Sequence, residues 1–358
     1  MSRILLLRLI AFTLWFAHSL GANAYQDPLD QPSTPSQLAS SAPLFSVARA
    51  GTRIVALGRH GIIVFSDSNG KEWQQATVPV STDLTALSFP NAKEGWAVGH
   101  GAVVLHSIDG GATWVKQLDG RSFDTLVPKY YESSAAILNA DEAVQFMVRR
   151  IGEEKDAEPF LDVWFQNDKT GFVSGTFNRL FRTDDGGEHW IPLFEKVDNP
   201  EELHLYAVRG LGSEVFLAGE RGMVWRWDES KERFILIPTP YSGSLFGLVV
   251  TSRAVLAFGM KGNLFRTLDR GSHWENIPTG LQSGIVAGDI RANGDIVLAS
   301  ESGELITSSD EGATFQPIVL SRRGITSSFV STSGDTFALT GPKGVRTDAP
   351  ATTSSVKR

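Results

Sequence analysis

The chain contains no cysteine. No disulfide can brace it and no thiol can carry a lipid anchor, so a large buried core has to supply the stability. Positive charge is in deficit, with 33 Lys and Arg against 40 Asp and Glu. That balance opposes binding to a phosphate backbone, and nucleic acid is not an expected partner. Past the first residues no stretch approaches 18 unbroken apolar positions, so no membrane-spanning helix is expected. Tyrosine is scarce, and none follows Tyr241.

What is present begins with an export leader over residues 1–24. Arg3 and Arg8 make a positive start, 9–16 an apolar run too short for a stop-transfer helix, and Ala22-Asn23-Ala24 a small-x-small cleavage site. Cleavage leaves 334 of the 358 residues, starting near Tyr25, as a soluble protein of the periplasm or an equivalent lumen. Loss of the two leader arginines takes the net charge from −7 to −9. Residues 25–43, rich in Pro, Ser, Gln and Asp, read as a flexible N-terminal segment, and 349–358 as a tail.

Between these ends one pattern recurs seven times: a short apolar strand, a tight turn, a second strand, then an acidic-Gly turn leading into Trp or Phe. The clearest copies are 96–114, 172–190 and 256–274; weaker ones are 55–73, 216–234 and 297–315, and 337–348 is truncated. Aligned on the residue ending the first of those strands, Gly58, Gly99, Gly175, Gly219, Gly259, Ser300 and Thr340, the spacings are 41, 76, 44, 40, 41 and 40. Repeats of roughly 40 to 45 residues holding four short strands are propeller blades. The expected fold is all-β: a seven-bladed propeller over 44–348, each blade an antiparallel meander of strands a to d from axis to rim. Because the seventh copy stops after its third strand, the N-terminal segment is a candidate for the missing outer strand that closes the ring.

The c-to-d turns carry an S/T-x-D-x-G-x-x-W/F box. Four are intact: Ser107, Asp109, Gly111, Trp114; Thr183, Asp185, Gly187, Trp190; Thr267, Asp269, Gly271, Trp274; and Ser308, Asp310, Gly312, Phe315. The first blade has Ser68 in place of the Asp, and the fourth keeps only Asp228 and a displaced Phe234. Asp and Ser/Thr side chains bond turn N–H groups, Gly supplies a positive φ and the aromatic buries a large face, so the box reads as a structural staple.

Partner binding is expected on the opposite face, where the b–c turns and the d-to-a connections lie. Its turns carry Arg59, His60, His100, Asn178, Arg179, Glu220, Arg221, Lys261, Glu301 and Lys343, a mostly basic ring on an acidic protein. Such a ring is either a set of solvated hairpin charges or an attractor of anionic groups. The anomalous spacing places an insertion over 119–160 on that face. Within it Ala140, Ala143, Val144, Met147, Val148 and Ile151 fall at helical spacing, Asn139 with Glu142 is a candidate N-cap, and Arg149 and Arg150 sit in the last turn. A helix over 140–151 follows, packed on the propeller or offered to a partner. His60 and His100 lack a third ligand, and no metal or cofactor is expected.

The boxes, the seven copies, the leader and the helical insertion together resemble the photosystem II assembly factor family across about residues 44–348. The resemblance implies a non-catalytic assembly factor that docks on a membrane-protein subunit through a basic patch, at Arg59, Arg179, Arg221 and Lys261 by position, and the protein is expected to be a monomer. In a host without photosystems the partner would be another envelope complex, such as an exporter. The rival reading is a sialidase-like glycoside hydrolase or a carbohydrate- or anion-binding propeller, since sialidases share these boxes. That chemistry needs an Arg triad and a Tyr nucleophile, and the Arg-Ile-Pro signature is absent while Tyr130, Tyr131 and Tyr206 are not evidently placed.

Overall fold

A computed structural model describes residues 26–133, 142–153 and 158–351; the expected leader, Asn139 and Ala140 lie outside them. Seven antiparallel sheets follow one another along the chain, six of four strands and the last of three. The a strands are Leu44–Ala50, Leu84–Ser88, Phe160–Phe165, Leu205–Leu211, Leu245–Val250, Ile285–Ile290 and Ser328–Ser331. Each packs on the a strand of the next blade, and the seventh packs back on the first, closing a ring around a channel of about 600 Å³. The b strands are apolar and buried throughout, as in Gly95–Gly99 and Val255–Gly259, because each is covered on both faces by neighbouring blades.

The seventh sheet ends at its c strand, Gly344–Asp348. The N-terminal segment does not add the fourth strand there. It runs instead as two 3-10 turns, Pro28–Asp30 and Ala39–Ser41, tied down along its length. Ala39 is buried with Leu44, Ala338 and Val345 between blades seven and one; Ser33 N–H donates to the Val78 carbonyl at 3.0 Å; and Asp30 takes the Arg121 guanidinium at 2.6 Å and the Lys116 ammonium at 3.1 Å. A segment with four prolines lacks the N–H groups an outer strand would donate, so it fastens blades seven, one and two through caps and charges. At the other end Ala351 N–H bonds the Val319 carbonyl at 2.7 Å, pinning the start of the expected tail to the sixth blade's exit.

The insertion forms two helices, α1 (Phe123–Ser133) and α2 (Glu142–Glu153). The second matches the helix expected over 140–151; α1 lies where none was expected, across a Pro128 that reads as a breaker. Its stripe Phe123, Val127 and Tyr131 is buried with Val144, Met147 and Ile151 of α2 and with Trp96, Phe165 and Trp190 of the second and third blades. The insertion is thus an annex of the propeller core, as amphipathic surface helices usually are.

Candidate functional site

The c–d turns are closed staples. In the second blade Ser107 Oγ takes the Gly111 N–H at 2.9 Å and donates to Asp109 Oδ1 at 2.9 Å. Asp109 Oδ1 also takes the N–H groups of Ala112 and Thr113, and Gly111 sits at φ 86°. Thr183 with Asp185, Thr267 with Asp269 and Ser308 with Asp310 repeat the pattern at 2.7–2.9 Å. In the first blade Ser68 Oγ replaces the carboxylate, accepting from Glu72 N–H at 2.8 Å. Trp114 and Trp190 are buried, while Trp274 and Phe315 are half-buried against the adjoining blade. Among the described residues the one trio with metal-ligand spacing, Asp185, Glu188 and His189, belongs to this face; His189 Nδ1 and Asp185 Oδ2 already engage each other at 2.7 Å.

The opposite face is built differently. Each glycine ending a b strand is there for close approach: a Cβ on Gly58 would lie 2.2 Å from the Pro43 carbonyl oxygen, and one on Gly259 2.1 Å from that of Ser244. The chain then makes a 3-10 turn whose middle residue is left-handed, at His60 (φ 55°), Arg221 (φ 54°) and Lys261 (φ 56°). Non-glycine residues adopt this conformation at a cost of roughly 1 kcal/mol, so an Arg, a Lys and a His are held at the tips against a local preference for glycine.

The basic ring is less uniform than its tips imply, because d-to-a connections carrying acids alternate with them. Asp83 lies 4.0 Å from both Arg59 and His60, Glu201 pairs with Arg221, and Glu202 pairs with Arg150. His100 and Arg149 are exposed, and His100 corresponds to Arg59 in its turn, one place from His60. Arg179 does not belong to the surface at all: it is 1% exposed, with Nη1 3.5 Å from Thr176 Oγ1, because it stands past the turn tip, where its carbonyl takes the Gly175 N–H as those of Ile62 and Met223 take the Gly58 and Gly219 N–H groups. Lys261 and Lys343 are exposed with no ion pair among the described residues.

Inside this ring the register of the a–b pairing slips by one residue near the start of the a strand in six of the seven blades. The extra residues are Phe45, Thr85, Leu161, Tyr206, Phe246 and Val286, all half-buried and all lining the channel. A bulge turns one side chain out of the alternation; repeated around the ring it gives the channel an apolar, aromatic mouth. The aromatic surface continues outward from Phe246 to Tyr206 (5.9 Å between centroids), His204 (6.1 Å) and Phe177 (4.7 Å), the last 41% exposed with the Arg150 guanidinium of α2 5.9 Å above it. The bulge residue holds the same place after the first apolar residue of each a strand, a signal the repeat alignment contains. Deeper in the channel, burial pushes the Asp162 carboxyl up while the Arg209 guanidinium and the Val208 N–H (2.9 Å) hold it, joining blades three and four.

Tyr131 and Tyr206 stand in separate settings. Tyr131 is fully buried on the inner face of α1, its hydroxyl donating to Glu195, and burial pushes that phenol well above its ordinary range. Tyr206 faces the mouth, and burial raises it as well.

Residues 45–132 and 142–279, more than half of the chain, match the family described as photosynthesis system II assembly factor YCF48. Among curated proteins the chain is 28% identical over 172 residues to the photosystem II assembly lipoprotein Ycf48 of Synechococcus sp. CC9902, covering 46% of this chain and 50% of that one. It is 26% identical over 191 residues to the photosystem II assembly protein Ycf48 of Synechococcus sp. JA-3-3Ab, covering 48% and 55%. The match thus spans about half the length of these relatives, and this chain has no cysteine at which to be acylated. Among solved structures, YCF48 bound to D1 peptide superposes with a TM-score of 0.63 at 18% identity, covering 88% of this chain and 96% of that one. YCF48 from Cyanidioschyzon merolae gives 0.61 at 14%, covering 89% and 98%; at such identities the likeness is one of fold. On the strength of the family match and the ring of seven blades, this chain is a member of the photosystem II assembly factor YCF48 family.

Proposed function

We propose that this protein is an exported, monomeric, non-catalytic assembly factor that holds an extended segment of a membrane-protein subunit across the channel mouth. The observation that carries the reading is the ring of bulge residues lifted out of the strand alternation in six blades, apolar or aromatic in five and Thr85 in the sixth, at the mouth of an otherwise polar channel. Such a concave apolar site with polar groups at its rim suits the side chains of an extended peptide, and Arg221 and Lys261 favour acidic residues beside them. A YCF48 relative bound to D1 peptide, at 18% identity, supports the choice of a peptide over a glycan. No cofactor or metal is required.

The test is capture of membrane proteins from detergent-solubilised membranes of the host by the immobilised protein. A discrete membrane subunit is expected with wild type, and its identity separates a photosystem partner from an exporter or other envelope complex. Truncating Tyr206 and Phe246 to Ala together is expected to weaken capture about ten-fold or more, as removal of aromatic anchors does. Arg221→Glu with Lys261→Glu should weaken it in a salt-dependent way. Undiminished capture by the double aromatic variant would remove the mouth from consideration.

A further inference from the structure

On the face that carries the mouth but outside the channel lining, at the junction of blades six and seven, the connection 322–325 and the turn 341–344 enclose a cleft of about 560 Å³. Arg322, Arg323, Lys343 and Arg346 line it, and no acidic residue does. Arg322, Arg323 and Lys343 are exposed, and none has an ion pair among the described residues. The Asp348 carboxylate, which acts on Arg346, is spent on backbone: Oδ2 accepts from Arg322 N–H and Oδ1 from Ala349 N–H, each at 2.9 Å.

Arg346 is the informative member. It is half-buried, and its Nε and Nη2 are cut off from solvent without an acceptor among the described residues. Gly324 lies against the same guanidinium, where a Cβ would make ordinary van der Waals contact, 3.6 Å from Nη1. Burial, with the charge of Arg322, pulls Arg346 below the ordinary guanidinium value despite Asp348. Folded proteins rarely leave two buried donors unpaired, and the Nε–Nη2 edge is the fork that takes two oxygens of an oxyanion.

We propose that this cleft is a phosphate-binding site. Four cations line the cleft and no carboxylate does, an excess of positive charge that suits a phosphate group, either a dianionic monoester or the singly charged phosphodiester of a headgroup. An anion lodged among Arg322, Arg323 and Lys343 supplies the missing acceptors once Arg346 rotates its open edge toward it. The exposed Ile325 and Pro342 at the rim leave room for an apolar body behind the phosphate. The group arrives either on a lipid headgroup or on a soluble phosphate ester.

The mature chain is titrated with inorganic phosphate and glycerol 3-phosphate at matched ionic strength, with thermal midpoint and calorimetry as readouts. In parallel it is floated with phosphatidylcholine vesicles with and without phosphatidylglycerol. Wild type is expected to bind, and Arg346→Gln to bind about ten-fold more weakly or worse, the loss of a charge-assisted pair of contacts. Because Arg346→Gln removes unpaired donors, its ligand-free midpoint should equal or exceed that of wild type, which separates lost binding from lost folding. Flotation that requires both phosphatidylglycerol and Arg346 assigns the site to a lipid headgroup; a response to the soluble probes without flotation assigns it to a phosphate ester. Equal responses from wild type and Arg346→Gln, or binding to neither probe, would overturn the proposal. Membrane-protein capture should be unchanged in Arg346→Gln, so this site and the channel mouth fail or stand separately.

Discussion

A box carboxylate is held ionised by the turn it closes. The Thr314 hydroxyl and N–H hold Asp310 down to about 2, the His273 side chain and N–H do the same for Asp269, and Asp185, against burial that opposes it, is held at about 2 by His189 and Thr183. Each folded-state value lies below the ordinary 3.8, so the stabilisation is fully present above pH about 4 and drains as pH falls through about 2. Acid unfolding followed by circular dichroism is therefore expected to begin below about pH 4, and an Asp310→Asn variant should show a shallower loss over that window. The hydroxyl partner is the more costly deletion. Ser308 is buried and its Oγ accepts the buried Gly312 N–H at 2.9 Å, so Ser308→Ala strands a donor and should cost about 1–3 kcal/mol in denaturant melts.

Among elements, the insertion carries core packing that is independent of any part it takes in docking. Phe123, Val127 and Tyr131 of α1 and Val144, Met147 and Ile151 of α2 share one cluster with Trp96 and Trp190. Removing 122–158 would open that cluster to water, so the expected result is a protein that melts far earlier or does not fold, whatever its role in docking. Point variants separate the two. Val127→Ala, at 0% exposure, should cost about 2–4 kcal/mol, whereas Phe146→Ala, at 57%, should change stability by less than about 0.5 kcal/mol. Loss of capture in Phe146→Ala or Arg149→Glu would then mark α2 as a docking element.

For the whole molecule the decisive contact is the seam between blades seven and one. It has no disulfide and no shared sheet; it is closed by Val47, Ile54 and Val64 packed on Val330 and Ala338, by Asn69 paired with the Ser333 backbone, and by the N-terminal strap over its rim. Deleting 26–43 removes the Ala39 plug and the Asp30 ion pairs together. The thermal midpoint should fall by several degrees, on the order of 2–4 °C per kcal/mol lost in a chain of this size. An unchanged melt would show that the seam closes by blade packing alone.

The blade count, the strand order, the four intact boxes and the amphipathic α2 were all legible in the residues, because each is set within one repeat: alternating apolar residues, a Gly at positive φ, an Asp two places after Ser or Thr. Folding alone decided what depends on neighbours distant in the chain. Arg179 stands where Ile62, Met223 and Asn263 stand in their blades, just past the turn tip, and its side chain is buried; Arg221 and Arg59 meet acids from connections 20 or more residues away. Helix α1 persists through Pro128 because the propeller covers its apolar stripe. The channel mouth is likewise tertiary: each bulge is local, but six residues spread over some 240 positions become one surface only when the ring closes and brings the a strands around a common axis.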